Sequence, residues 1–266
     1  MAMLPPTPDQ APHENLFEIR GLTKAYGRRT ILDHVDFDVR RGECLVILGR
    51  SGSGKSVTLR QLNGLEPTDE GSVTFDGVNL SDLEERELFP YRRRIAMLFQ
   101  SGALFDSMNV FDNVAFPLRE HAGLKEAEVA VRVRQKLEMV RLRDVESKAP
   151  SDLSGGMKKR VALARSLALD PEVVLFDEPT TGLDPVTSAT IGKLINSIQE
   201  ELGVTAVVVT HDLPLARRVG DRLAYLSGGR FGFLGTWDEA DRTTNPDFGD
   251  FLAGREREED EDPHGA

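Results

Sequence analysis

The chain has 266 residues, of which 39% are hydrophobic and 29% are charged, and its formal net charge is −11 at pH 7. This composition is that of a globular protein and excludes collagen-like and wholly disordered chains. The excess of 44 acidic over 33 basic residues argues against binding of nucleic acid by bulk electrostatics, so no nucleic-acid partner is expected. The length predicts one large domain, or a core with a sub-domain.

The two ends of the chain differ in composition from its middle. Four of the first twelve residues are proline, and residues 1–15 are predicted to form a flexible leader. Residues 238–266 are predicted to form a C-terminal extension with an acidic tail, which reads REREEDED at 255–262. The longest apolar runs have about five residues, far below the ~18 needed to span a bilayer. If the protein works at a membrane, we expect another chain to do the spanning.

Short aliphatic runs with polar or glycine-rich ends predict the strands. The runs LVIL, VVLF and AVVV lack polar alternation, which is typical of strands that helices cover on both faces. We therefore expect an α/β fold with a parallel-centred sheet and antiparallel β additions at its edges. The predicted strands are 17–20, 35–39, 44–48, 72–75, 95–99, 173–176, 205–210, 223–226 and 230–234.

The strand pattern stops between Gln100 and about Pro171, and apolar residues recur at helical spacing over 125–141. This change predicts an inserted helical sub-domain at about 101–170, within a larger domain that covers 16–237. The single cysteine, Cys44, cannot form an internal disulfide, which fits a reducing compartment.

A glycine-rich loop follows the strand predicted at 44–48. Residues 49–56 read GRSGSGKS, a complete GxxxxGK[ST] pattern, and a helical pattern begins directly after it. The glycines let backbone N–H groups close around a phosphate, Lys55 would reach the β- and γ-phosphates, and the Ser56 hydroxyl would bind Mg²⁺. The predicted nucleotide-contacting residues here are Gly49, Arg50, Ser51, Gly52, Ser53, Gly54, Lys55, Ser56 and Val57.

Two adjacent acids end the apolar run VVLFDE at 173–178. The chain turns at the end of a strand, so both carboxylates can reach one site. We predict that Asp177 holds Mg²⁺, usually through water, and that Glu178 orients or deprotonates the attacking water. An isolated Asp-Glu pair after a strand is more often the start of a loop than a catalytic pair. The phosphate loop in the same chain reverses this preference and favours a catalytic pair.

A second helix start with anion-binding features occurs at 153–157, which reads LSGGM. Ser154 can cap the helix, while Gly155 and Gly156 expose N–H groups at its positive end. An ordinary capped helix is the alternative for this segment alone. Two such helix starts, about 100 residues apart, indicate either two phosphate sites or one site assembled from two chains.

Two further residues have a functional and a structural interpretation. His211 follows the run AVVVT, where a neutral imidazole can bond a phosphate oxygen or the water, although a lone histidine there is more often structural. Tyr26 precedes a strand and can stack on a purine, and a packing tyrosine is an equal alternative.

In chain order, Tyr26, GRSGSGKS, Gln100, LSGGM, VVLFDE, 182–184 and His211 resemble the motif set of ABC-transporter ATPase subunits, over about 17–234. The resemblance implies a P-loop NTPase of ABC type and a sandwich homodimer, with each ATP between the phosphate loop of one chain and the LSGGM segment of the other. It places Asp184 at the dimer seam and Tyr26 against adenine. The implied catalytic residues are Glu178, His211 and Gln100, the implied Mg²⁺ ligands are Ser56, Gln100 and Asp177, and the implied contacts to the opposite ATP are Ser154, Gly155 and Gly156.

Other segments are similar to the MlaF-like ATPases of Mla and Mce phospholipid-transport systems. These are FQSGALFD at 99–106, VFDNVAFPL at 110–118, LSGGMKKRVALARSLALDP at 153–171 and TNPDFGDFLAG at 244–254. Met157 stands where the common signature LSGGQ has glutamine, and this difference restricts the resemblance to a smaller group within the family. The similarity implies a motor that drives a membrane permease for phospholipid or lipid transport, located in the cytoplasm on the inner face of the inner membrane.

The same similarity implies three kinds of partner: permease subunits, an Mce-domain lipid-binding protein and a small regulatory subunit. It also implies a groove for a cytoplasmic helix of the permease, although the same side chains can form the core of the helical sub-domain. The residues concerned are Leu104, Phe105, Phe111, Val114 and Phe116.

Two other functions stay open. One is an importer ATPase for amino acids, osmolytes or metals, against which the FQSGALF and LSGGM segments count. The other is a soluble ABC ATPase in iron–sulfur cluster assembly, which would not fractionate with membranes.

Overall fold

The computed structural model describes residues 14–255, so most of the predicted leader and the acidic run 256–262 lie outside the described residues. The first half of the fold comprises β1 (Asn15–Tyr26), β2 (Arg29–Arg40), β3 (Cys44–Leu48), α1 (Lys55–Leu62), β4 (Glu70–Phe75), β5 (Val78–Asn79), α2 (Glu85–Arg92), β6 (Ile95–Leu98), α3 (Val110–His121) and α4 (Glu126–Met139). The second half comprises α5 (Gly155–Ser166), β7 (Val173–Asp177), α6 (Pro185–Leu202), β8 (Thr205–Thr210), α7 (Leu213–Val219), β9 (Arg222–Ser227), β10 (Arg230–Gly235), α8 (Trp237–Ala240) and α9 (Pro246–Leu252).

The strands of the described chain form two sheets. The larger has the order β10-β9-β3-β8-β7-β6, in which neighbouring strands from β9 to β6 are parallel and β10 is antiparallel to β9. The smaller sheet, β2-β1-β4-β5, is antiparallel throughout. The predicted α/β fold, with a parallel-centred sheet and antiparallel additions, is confirmed. Most of the antiparallel strands form a sheet of their own, and the two-residue β5 is too short to produce a pattern in the sequence.

Strand β3 shows why the sequences of the central strands are unbroken apolar runs. Successive side chains of a strand point to opposite faces. Leu45 and Ile47 pack into the core shared with the antiparallel sheet and α1, whereas Cys44, Val46 and Leu48 pack into the core beneath the helices. All five residues are buried, because both faces of the larger sheet are covered.

Helices α3, α4 and α5 lie between β6 and β7 in the chain, within the predicted helical sub-domain. The helix predicted at 125–141 is α4, and Val133 and Leu137 of this helix pack into the core beneath the helices. The buried Lys136 also contacts Asp170, at 2.5 Å between Nζ and Oδ1, which joins α4 to the segment before β7. None of the helices within residues 14–255 has the length and apolar character needed to cross a membrane.

The core extends past residue 237 through α8 and α9. Phe248 of α9 is fully buried, and its ring centroid lies 4.8 Å from that of Tyr225 and 4.9 Å from that of Phe233. Trp237 of α8 donates a hydrogen bond from Nε1 to the carbonyl of Gly220 at 3.0 Å. The apolar pattern of the sequence weakens here because α8 and α9 are short, with four and seven residues.

Candidate functional site

The loop between β3 and α1 adopts conformations that its glycines permit. Gly52 and Gly54 have φ of +76° and +104°, in the region that L side chains rarely adopt. A Cβ at Gly49 would lie 2.5 Å from the carbonyl oxygen of Leu226 and 2.6 Å from Oγ of Ser53. The Ser53 hydroxyl is buried and has no hydrogen-bond partner among the described residues. The loop therefore forms a tight cradle with a free polar group, which fits a bound phosphate.

Lys55, the first residue of α1, places its charge inside this loop. The side chain is buried, and Nζ donates hydrogen bonds to the carbonyls of Gly49 at 2.9 Å and Arg50 at 3.0 Å. Nζ also lies 3.3 Å from Oε1 of Glu178. A buried ammonium at this position supplies the positive charge that a phosphate requires.

Ser56 and Asp177 bring together two oxygens from the ends of separate elements. Oγ of Ser56 donates to Oδ1 of Asp177 at 2.7 Å. Ligand oxygens at about 2.1 Å from an octahedral Mg²⁺ stand ~3 Å apart, so these oxygens fit one magnesium ion. Gln100 follows β6, the neighbour of β7, and lines an open pocket together with Asp177 and Thr181.

Burial raises the pKa of the Asp177 carboxyl. The hydrogen bond from Ser56 lowers this pKa, the charge of Glu178 raises it, and the charges of Arg60 and Lys55 lower it. A divalent cation bound at this carboxylate would favour its ionised form.

Glu178 follows β7 and is contacted from several sides. Its Oε2 lies 2.9 Å from Nδ1 of His211, and the hydroxyls of Thr181 and Thr210 donate to the same oxygen at 3.3 and 3.4 Å. Strands β3, β8 and β7 are parallel neighbours, so their carboxyl ends meet at one edge of the sheet. This edge brings together the predicted Lys55, Ser56, Gln100, Asp177, Glu178 and His211.

The predicted LSGGM segment lies at the start of α5. Oγ of Ser154 accepts a hydrogen bond from the backbone N–H of Met157 at 3.3 Å, so Ser154 is the helix cap. Ser154 and Gly155 are exposed, whereas a Cβ on Gly156 would lie 2.5 Å from Cγ2 of Thr187. Among the described residues, no hydrogen bond or ion pair joins 154–156 to the phosphate loop at 49–57.

Asp184 caps the helix that packs against this segment. Its Oδ1 accepts hydrogen bonds from the backbone N–H groups of Val186 and Thr187, both at 3.0 Å, and Thr187 is the residue that contacts Gly156. Asp184 and the LSGGM segment therefore lie side by side on the same chain.

Tyr26 ends β1 and is 46% exposed. Its hydroxyl donates to one carboxylate oxygen of Glu66, and Nε of Arg60 in α1 donates to the other. The ring is anchored to the phosphate-loop helix through this pair while much of its surface remains accessible for stacking.

The residues predicted for a permease groove divide between core and surface. Val114 is fully buried in the core, and Leu104 and Phe111 pack partly against that core. Phe105 is 41% exposed, with its ring centroid 5.1 Å from that of Phe116. The structure thus assigns Val114 to packing and leaves Phe105 at the surface.

Three further residues contact Glu178 and were not predicted from the motifs: Lys159, Thr181 and Thr210. Thr210 directly precedes His211 at the end of β8, a position that could have drawn attention. Lys159 gives no such signal, because its neighbour Lys158 has the same residue type and only the fold shows which of the two faces inward.

Comparisons with known proteins show the family to which this chain belongs. Residues 32–181 match the sequence model of the family described as ABC transporter. The chain is 43% identical to the probable ribonucleotide transport ATP-binding protein mkl of Mycobacterium leprae (strain TN), over 90% of this chain and 69% of that protein. It is 42% identical to the intermembrane phospholipid transport system ATP-binding protein MlaF of Escherichia coli (strain K12), over 90% of this chain and 89% of that protein.

Two solved structures share the fold. The dimeric post-hydrolysis ATP-binding cassette MJ0796, bound to ADP and Pi, superposes with a TM-score of 0.77 and 35% identity, over 83% of this chain and 98% of that one. The cbiO1 protein of Clostridium perfringens, part of the ABC transporter complex cbiONQ, has a TM-score of 0.80 and 30% identity, over 90% of this chain and 96% of that one. The chain therefore belongs to the ABC transporter family and is one of its ATP-binding, ATP-hydrolysing subunits.

Proposed function

We propose that this ATPase is the motor of a transporter that moves phospholipid or another lipid across the cell envelope. The observation that carries the ATP-hydrolysing part of the proposal is the cluster at the carboxyl edge of the larger sheet, where Lys55 and His211 contact Glu178 and Ser56 contacts Asp177. This cluster combines a phosphate-binding charge, oxygen ligands for a cation and a carboxylate beside an imidazole.

Ser56, Asp177 and Gln100 are the residues that would hold Mg²⁺. When bound, the ion neutralises charge on the β- and γ-phosphates. Lys55 binds the same phosphates from inside the loop, with the backbone N–H groups of 49–57. Tyr26 supports the adenine ring from its exposed face.

Glu178 is the residue that acts on the attacking water. One of its oxygens is 3.3 Å from Nζ of Lys55 and the other is 2.9 Å from Nδ1 of His211, so the carboxylate is held between two nitrogen groups. It orients the water and accepts its proton while the water oxygen forms a bond to the γ-phosphorus and ADP leaves. His211 bonds a phosphate oxygen or the water from the exposed side.

The functional unit is a homodimer in which each ATP contacts both chains. Ser154 and Gly155 present the positive end of α5 to solvent, and within the described residues they make no hydrogen bond to their own phosphate loop. A second copy that brings its phosphate loop to this helix end would complete the site, with Asp184 at the seam. The dimeric form of the MJ0796 cassette, which binds ADP and Pi, supports this arrangement.

The proposed cargo and partners rest on the relatives. The chain matches 89% of the length of the Escherichia coli protein named for intermembrane phospholipid transport, against 69% of the protein named for ribonucleotide transport. We expect membrane permease subunits, an Mce-domain lipid-binding protein and a small regulatory subunit as partners, at the cytoplasmic face of the inner membrane. Phe105 and Phe116 would contact the permease.

The test is affinity purification of the tagged full chain from detergent-solubilised host membranes, followed by identification of the proteins and cargo. We expect an integral-membrane permease, an Mce-domain protein and bound phospholipid. Recovery of a binding protein for ribonucleotides or amino acids would refute the lipid assignment. Recovery of a wholly soluble complex with scaffold proteins would refute the transporter assignment.

A further inference from the structure

Lys159 is a buried cation that contacts the backbone of Glu178. It lies on α5, is 7% exposed, and donates a hydrogen bond from Nζ to the carbonyl oxygen of Glu178 at 3.2 Å. Burial lowers the pKa of this ammonium, while the charges of Glu178 and Asp177 raise it. The contact is with the main chain of Glu178, so it leaves both carboxylate oxygens available to Lys55 and His211.

The backbone of Glu178 has an uncommon conformation that needs external support. Its φ is +46°, in the left-handed region that residues with a Cβ rarely adopt. The N–H donates to the carbonyl of Val209 at 3.0 Å, and the carbonyl accepts from the N–H of Thr181 at 3.2 Å as well as from Lys159. Such conformations persist only where surrounding contacts hold them. Of these contacts, Lys159 alone comes from the helical layer.

The direction of the Glu178 side chain depends on this backbone conformation. A return of φ to the common right-handed or extended region would rotate the Cα–Cβ bond and move the carboxylate away from Nδ1 of His211 and Nζ of Lys55. Small misplacements of a reacting group lower the rate of the chemical step more than they affect substrate binding.

We propose that Lys159 is a positioning residue for ATP hydrolysis, whose hydrogen bond from α5 holds the Glu178 backbone in the conformation that aims the catalytic carboxylate. The inference rests on the proposed catalytic role of Glu178. Helix α5 begins at the segment proposed to bind the ATP of the opposite site. The same helix therefore supports the catalytic carboxylate of its own site.

Three variants of the full chain test this inference. Lys159→Met removes the donor and the charge at similar size, Lys159→Gln keeps an N–H donor, and Lys158→Met is the matched control. Lys158 is the preceding residue of α5, and its side chain makes no hydrogen bond or ion pair within residues 14–255. Steady-state ATPase kinetics and the melting temperature are measured for each variant.

For Lys159→Met we expect kcat to fall at least about tenfold while KM for ATP changes by less than about threefold. Lys159→Gln should recover kcat to within about threefold of the parent, and Lys158→Met should match the parent. A folded Lys159→Met variant with the parent kcat would overturn the inference. If Lys159→Met does not fold, the kcat of Lys159→Gln becomes the test. A folded Lys159→Gln variant whose kcat is about tenfold below that of the parent then overturns the inference.

A Glu178→Gln variant, measured alongside, separates this inference from the proposed site. If Glu178→Gln hydrolyses ATP at the parent rate, the catalytic assignment of Glu178 is wrong and the positioning role falls with it. If Glu178→Gln is inactive and Lys159→Met is fully active, only the role of Lys159 is wrong.

Discussion

Two residues of the site, Lys55 and Glu178, form a buried pair of opposite charges. Nζ of Lys55 and Oε1 of Glu178 are 3.3 Å apart, and both side chains are almost fully excluded from solvent. Removal of one partner of such a pair is destabilising, because the other charge is then left unpaired in a poorly solvated environment. Each of these residues therefore affects both the local structure and the chemistry.

Replacement of Lys55 should weaken nucleotide binding itself. In Lys55→Ala the loop loses the ammonium that contacts the carbonyls of Gly49 and Arg50, and the phosphates lose a charge-assisted bond. We expect Kd for ATP to rise at least about tenfold in isothermal titration calorimetry. The control is Lys193→Ala, at an exposed position on α6, which should bind as the parent does. An unchanged affinity in Lys55→Ala would contradict the phosphate-loop role.

At the scale of elements, the helical layer is joined to the sheet through a polar junction at Asp170. The carboxylate contacts the buried Lys136 of α4 at 2.5 Å and also pairs with Arg132, and the residue has a φ of +53°. Burial raises the pKa of the Asp170 carboxyl, and the hydrogen bonds from Lys136 and Arg132 more than offset it, so the pKa is lowered from 3.8. The junction fixes α4 against the segment that leads into β7.

The variant Asp170→Asn tests this junction. Asparagine tolerates a positive φ, so the change mainly removes the pairing of Lys136, and because the Asp170 side chain is 53% exposed and solvent screens the pair, we expect a loss of only about 0.5–1 kcal/mol in the free energy of unfolding at pH 7. Because the folded-state pKa is depressed, the stabilisation is present above pH 3.8 and disappears as the pH falls through the folded-state value. Urea unfolding at several pH values checks both points, with Asp106→Asn at an exposed position as control. Equal stability of Asp170→Asn and the parent at pH 7 would contradict the argument.

Helix α9 contributes to the core in spite of its position near the end of the described chain. The ring of Phe248 fills the space between Tyr225 of β9 and Phe233 of β10. We expect Phe248→Ala to lower the free energy of unfolding by about 3–5 kcal/mol, because it removes a buried ring and leaves a cavity. In the same urea titration the exposed Phe89→Ala should lose far less, and similar losses for both variants would show that α9 does not belong to the core.

At the scale of the whole molecule, one sheet separates two apolar cores and carries the site at its carboxyl edge. The antiparallel sheet and α1 cover one face, and the helices cover the other. Within the described residues no hydrogen bond joins the exposed start of α5 to the phosphate loop, as expected for the proposed site shared by two chains.

The dimer is tested by a variant that binds ATP without turnover. In Glu178→Gln the carboxylate proposed to accept the proton of water is lost while the proposed phosphate and Mg²⁺ contacts remain, so we expect kcat to fall by about 100-fold or more. Light scattering after gel filtration should then show a dimer with ATP and Mg²⁺, and a monomer when EDTA removes the metal. Glu200→Gln, at an exposed position of α6, serves as control and should behave as the parent. A Glu178→Gln variant that stays monomeric with bound ATP would contradict the sandwich arrangement.

The local structural features of this protein can be predicted from its amino-acid sequence. The phosphate loop at 49–56 can be recognised from the spacing of its glycines, lysine and serine. The strands around Leu45 and Val174 can be recognised from their unbroken apolar residues. The resemblance of the ordered motifs to those of ABC-transporter ATPases provided the expected role of each motif. Short elements such as β5 and α9 were not predicted, because two to seven residues are too few to show a helical or strand periodicity in the sequence.

The contacts between residues distant in the chain depend on the tertiary fold. Ser56 contacts Asp177 across 121 positions of the chain, and Lys159 rather than Lys158 reaches Glu178. These pairs depend on the order of parallel strands and on the rotation of α5 against the sheet, which hydrophobic patterns restrict but do not specify. The same packing directs Val114 of α3 into the core and leaves Phe105, in the loop before α3, at the surface, because an apolar pattern along the chain does not specify which neighbour covers a side chain.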